Sequence, residues 1–126
     1  MNKNFLAILI SGIWVNVSEF LRNELLFKSY WTGHYQSLGL TFPSRPINGA
    51  LWGVWGFVFA WMIFMLSRRF SLLNTVIIGW VMGFVLMWIT LWNLSVLPTG
   101  LLVYAVPLSL LEVAVGAYLC KRLAPL

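Results

Sequence analysis

With 126 residues, 61% of them hydrophobic and only 9% charged, the chain lacks the polar surface that a water-soluble globule of its size requires, since soluble domains carry about 25% charged residues. Lipid must supply the missing coat, so the composition implies a single integral membrane domain spanning residues 1–126. The net charge of +5 comes from basic residues scattered in ones and twos, which excludes a phosphate-binding stripe and any nucleic acid partner.

The first apolar run covers residues 5–27 and is read as a retained helix. Lys3 followed by apolar residues to Val17 has the layout of a secretory leader, but bulky Trp14, Val15 and Val17 stand where small residues would mark a cleavage site. Residues 28–45 form the one sizeable polar stretch, in which Tyr30, Trp31, Tyr35 and Phe42 suit an outer interfacial segment. Further apolar runs follow at 47–66, 72–92 and 100–120, each of roughly 20 residues, the length that crosses a ~30 Å hydrocarbon core as a helix. None of the runs alternates as a barrel strand does, and only helices or closed barrels satisfy the backbone in lipid.

The breaks between runs have their own chemistry. Pro46 suits a first helical turn because it has no N–H to lose there. Ser71 and Thr99 are placed to cap the third and fourth runs. The connections at 67–71 and 97–100 are short, so consecutive helices are antiparallel neighbours. The expected fold is therefore all-α, a four-transmembrane-helix bundle. With the N-terminus inside, the inner side holds Lys3, Arg68, Arg69, Lys121 and Arg122, against Arg22, Lys28 and Arg45 outside, the latter diluted by Glu19 and Glu24. That bias predicts both termini cytoplasmic.

Small residues recur at three- and four-residue spacing: Gly49, Gly53 and Gly56 on the second helix, Gly79 and Gly83 on the third, Gly116 on the fourth. Such stripes let helix backbones approach closely, and they are expected to line the bundle or an interface between copies. Trp52, Trp55, Trp61, Trp80 and Trp88 are then expected mostly at lipid or in the interfacial belts.

The polar residues on these helices are the candidate site. On a 100° wheel Asn16, Glu19 and Asn23 share one face of the first helix with Gly12, and Glu19 and Arg22 are spaced to pair. Glu112 is the sharpest signal. It lies nine residues before Lys121, about 13 Å along a helix, so near mid-membrane. An acid there costs at least ~2.5–3.5 kcal/mol on insertion scales unless neutral, paired or wet. It shares a stripe with Ser109 and Gly116; Asn16 and Ser109 are its expected partners, with Arg22 placed further outward. Glu112, Asn16, Glu19, Asn23 and Ser109 thus form the expected ligand or proton site.

Cys120 is the one cysteine and His34 the one histidine, so no disulfide, thiolate metal site or multi-histidine site can be built in one chain, and no metal or cofactor is expected. His34 lacks a nucleophile at motif spacing.

The stretches "NFLAILISG", "LLFKSYW" and "LGLT" resemble the opening of a family of small bacterial four-helix membrane domains of unknown function. The resemblance covers the first third of the chain; it implies the same fold and the bacterial inner membrane, and no activity. The function expected from the residues is binding or passage of a small solute or proton, in contact with the lipid bilayer, as a homo-oligomer or with a membrane protein partner. Two other readings are an accessory or scaffold subunit of a larger membrane complex, and a lipid-modifying enzyme using His34 with Glu19 or Glu24.

Overall fold

The computed structural model describes residues 2–126. Four long helices, each long and apolar enough to cross a membrane, make the architecture: α1 (Lys3–Leu26), α3 (Pro46–Ser67), α4 (Leu72–Asn93) and α5 (Thr99–Leu123). A short helix, α2 (Lys28–Ser37), lies between α1 and α3.

The ends of these helices follow from local chemistry. Asn2 caps α1 by accepting the Asn4 N–H at 2.8 Å, and Ser71 caps α4 by accepting the Asn74 N–H at 3.2 Å. Pro46 opens α3, where Asn48 Oδ1 accepts the Arg45 N–H at 2.9 Å. Thr99, expected as a cap, instead sits inside a 3₁₀ turn, because the Leu101 N–H bonds to Pro98 O and tightens the start of α5.

The long helices run up, down, up and down. One end carries both described termini and the α3–α4 turn. There Lys121 Nζ donates to Ser67 O and Phe70 O, both at 2.9 Å, and Arg68 donates to Ala124 O at 2.8 Å. These cations satisfy carbonyls left open at helix C-termini and complement the negative ends of the dipoles. At the opposite end α2 lies over the α4–α5 loop: His34 contacts Ser95 O at 2.8 Å, and Phe27 stacks on Tyr104 at 5.1 Å.

Helix α1 packs chiefly on α3 and α5, while α4 packs on α5 and α3. Close approach depends on glycine at a few points. A Cβ on Gly56 would sit 2.6 Å from the Asn16 amide, and one on Gly83 would fall 2.3 Å from the Phe59 ring. Gly79 and Gly116 lie against Val113 and Ile63 respectively, whereas Gly49 meets nothing within 4 Å.

The interior layer is apolar, with Ala7, Val15, Ala60, Ile63, Val113 and Ala117 fully buried. Apolar side chains also dominate the outside: Phe20, Leu51, Val58, Leu73, Ile89 and Leu111 are at least half exposed. Water would penalise so continuous an apolar exterior. The tryptophans divide. Trp52 and Trp61 face outward as expected, but Trp55, Trp80 and Trp88 are half-buried against the core, Trp55 stacking on Phe59 at 5.0 Å and Trp88 meeting Phe84 at 5.9 Å. Composition alone does not separate a belt tryptophan from one that fills a gap between helices.

Candidate functional site

The polar groups of α1 enter the bundle where its backbone changes. Through Phe20 the helix is α; over Leu21–Leu26 it widens to a π turn, in which the Phe27 N–H bonds Arg22 O at 2.9 Å, five residues back. A π turn inserts one extra residue and re-aims the side chains around it, which is why such turns recur at working sites. A second π turn, Val81–Val85, interrupts α4 and carries Phe84. The two meet: the Arg22 guanidinium lies 5.2 Å from the centre of the buried Phe84 ring, within range of a cation–π attraction.

Around Arg22 the charges form one cluster. Its Nη2 donates to Glu19 Oε1 at 2.6 Å, and its Nη1 lies 3.5 Å from Glu112 Oε1. The other Glu19 oxygen accepts from Asn23 Nδ2 at 2.8 Å, and Asn23 Oδ1 accepts from Trp31 Nε1 of α2 at 3.3 Å. Glu19, Arg22 and Glu112 are all buried, and the Glu112 side chain has no exposed surface. The 3.5 Å approach to Glu112 is an ion pair without hydrogen-bond geometry: among the described residues, both Glu112 oxygens and Arg22 Nη1 lack a hydrogen-bond partner. A buried polar network with members unsatisfied is costly, so its presence calls for an explanation.

The electrostatics reduce to a count. Two carboxylates share one guanidinium, leaving one formal negative charge in excess. No other acid or base is available, because α3 and α4 carry none and the basic residues of α5 lie at its last turn. The cluster is neutral only when it holds one more positive charge.

Of the residues expected from the sequence to make the site, Glu112, Glu19 and Asn23 belong to this cluster. Asn16 does not join it. Its amide donates to Gly12 O at 2.9 Å and to Gly53 O at 3.4 Å, bonding α1 to α3 over the gap that Gly56 leaves. Ser109 also stands apart, donating to Val106 O at 3.1 Å and accepting Trp80 Nε1 at 2.9 Å. Arg22, the less expected partner because it sits further outward along the helix, is the ion-pair partner of Glu112. Trp14, which no sequence signal singled out, donates Nε1 to the Glu112 backbone carbonyl at 2.9 Å and ties α1 to α5 beside the acid.

The residues invoked for an interfacial enzyme are each engaged elsewhere: His34 with Ser95 O, Glu24 with Lys28 at 3.0 Å, and Glu19 with Arg22. Two open hollows also exist. A groove of about 450 Å³ between α3 and α4 is lined by residues including Phe59, Met62, Gly79, Met82 and Gly83, and one of about 480 Å³ lies beside His34, Trp92 and Ser95. Neither is lined by Glu19, Arg22 or Glu112. No group of three or more His, Cys, Asp or Glu side chains arranged to hold a metal occurs among the described residues. Compared with protein-family models, with curated proteins and with solved structures, the chain finds no match.

Proposed function

We propose that this is a membrane protein that binds a proton inside its helix bundle, at the Glu19–Arg22–Glu112 cluster. The observation that carries the reading is one guanidinium between two buried carboxylates, with both Glu112 oxygens lacking a hydrogen-bond partner. A proton supplies the missing positive charge and also turns one unsatisfied oxygen into a donor. Acids inside membrane proteins characteristically serve proton relays for this reason.

The proton is favoured over a larger solute by space. A water-sized sphere touches none of the Glu112 side chain, so a multi-atom ligand would need the bundle to open, whereas a proton needs no volume. The apolar exterior and the four long helices support a membrane-spanning arrangement. The five basic residues Lys3, Arg68, Arg69, Lys121 and Arg122 gather at the end that carries the termini, which favours both termini in the cytoplasm.

The test is proton uptake by protein reconstituted in vesicles, followed with a pH-sensitive dye, in wild type and Glu112→Gln. Glu112→Gln keeps the volume and removes the ionisable group, so uptake is expected to vanish in a variant that still folds. Equal uptake by the two proteins would overturn the reading and leave Glu112 as structural glue between helices.

A further inference from the structure

We infer that the cluster communicates with one end of the bundle only, the end covered by α2, and that the Asn23–Trp31 hydrogen bond is the latch on that route. The inference rests on the proton-site reading and adds to it a direction and two positioning residues.

The polar path is continuous on one side. From Glu112 it passes to Arg22 Nη1, from Arg22 Nη2 to Glu19 Oε1, from Glu19 Oε2 to Asn23 Nδ2, and from Asn23 Oδ1 to Trp31 Nε1 on α2. Exposure rises along it: Glu112, Arg22 and Glu19 are buried, Asn23 and Trp31 are half-buried, and Ser29, Tyr30 and Gly33 of α2 are exposed. On the other side the path stops. The next layer toward the termini holds Val15, Ile63, Val113 and Ala117, all fully buried and apolar. Asn16, three residues nearer the termini than Glu19, is turned away from the cluster onto the Gly12 and Gly53 carbonyls, and the next polar pair beyond it, Cys120 with Ser11 at 3.4 Å, lies eight residues along each helix from Glu112 and Glu19, about 12 Å of rise.

The cover is light. Helix α2 buries none of its own residues and is held by Trp31 on Asn23, His34 on Ser95 O, Phe27 stacked on Tyr104 and Tyr30 edge-on to the same ring. Elements with few buried contacts open first. The acidic and basic groups facing the cluster are its own three. Neither α3 nor α4 contributes any, α2 offers His34 with its ring bonded to Ser95 O, and Glu24 and Lys28 pair with each other at the surface. In the latched state Asn23 Nδ2 occupies the Glu19 oxygen that Arg22 does not hold. When Trp31 lets go, the amide turns away, water reaches that oxygen and an O–H bond forms there, hydronium losing the proton. The Glu19 O–H bond then breaks as an O–H bond forms on Glu112, whose carboxyl group lies within hydrogen-bond reach of Glu19 once one of the two is protonated.

Access can be read without reference to protonation. The probe is Ser18→Cys, half-buried beside Glu19, in a Cys120→Ala background, reconstituted in vesicles of known orientation. A membrane-impermeant methanethiosulfonate reagent is added from one side at a time. Labelling is expected from the α2 side alone. Trp31→Phe, which keeps the ring and removes the N–H, is expected to raise the rate about fivefold, the effect of one ordinary hydrogen bond. Asn23→Leu, read in the same way, covers the case in which Trp31→Phe fails to fold. Labelling from the side of the termini, or a rate unchanged by both substitutions, would overturn the inference. One-sided labelling alongside absent proton uptake would instead overturn the proton reading and leave a one-sided site for another cation.

Discussion

Arg22 is the residue on which the interior depends. Its guanidinium compensates two carboxylates and lies over Phe84, so removing it leaves two buried acids against nothing. Breaking a buried pair by deleting one partner costs about 3–5 kcal/mol, and Arg22→Met is expected to lose stability on that scale, measured by thermal unfolding in detergent. The loss belongs to the orphaned acids more than to the missing contact. Adding Glu112→Gln to Arg22→Met is therefore expected to recover part of it, giving a coupling of roughly 0.5–3 kcal/mol in a double-mutant cycle. Strictly additive effects would mean that the two side chains do not interact.

Glu112 is legible in the sequence because one acid in an apolar run has no bland surface to occupy, and Glu19 with Asn23 because four-residue spacing puts them on one face. Arg22 as the partner is not legible. Counting depth along a regular helix leaves it too far out, and neither the π turn nor the reach of its long side chain can be seen in a helical wheel. Asn16 fails for the converse reason: the wheel places it near Glu19, but Gly53 and Gly56 open a slot for it on α3, and the amide turns into that slot.

At the scale of the helices, glycine marks where two backbones must touch, though not every glycine does. Gly56 and Gly83 face the Asn16 amide and the Phe59 ring, and Gly49 faces open space. Gly83→Ala is expected to cost about 1–3 kcal/mol through overpacking, while Gly49→Ala stays within about 0.5 kcal/mol of wild type. Equal effects in thermal unfolding would contradict this packing of α3 on α4. The stripe of small residues is plain in the sequence, but which member is used depends on the register of the neighbouring helix. The same limit explains the tryptophans: Trp14 and Trp80 each aim an indole N–H at a partner on α5, and only the packed bundle shows which way they point.

For the whole molecule, the chain order, the four long apolar helices and the antiparallel connections follow from apolar run length and from Pro46 and Ser71, because these act locally. The charge distribution predicts an orientation, with both termini cytoplasmic. Tags fused to the two termini are expected to be cut by a protease applied from the cytoplasmic side and protected from the other. Cleavage of the two tags from opposite sides would contradict an even number of crossings. Together with the proposed one-sided access, that orientation would give the cluster a polarity, open toward α2 and closed toward the termini.

The most direct test of the central claim is infrared difference spectroscopy of the reconstituted protein between mildly acidic and alkaline solution, comparing wild type with Glu112→Gln. A cluster that takes up one proton across its two carboxylates predicts a carboxylic-acid C=O band that appears in wild type on acidification and is missing in the variant. Identical difference spectra from the two proteins would show that no proton is taken up at the cluster, and would contradict the account.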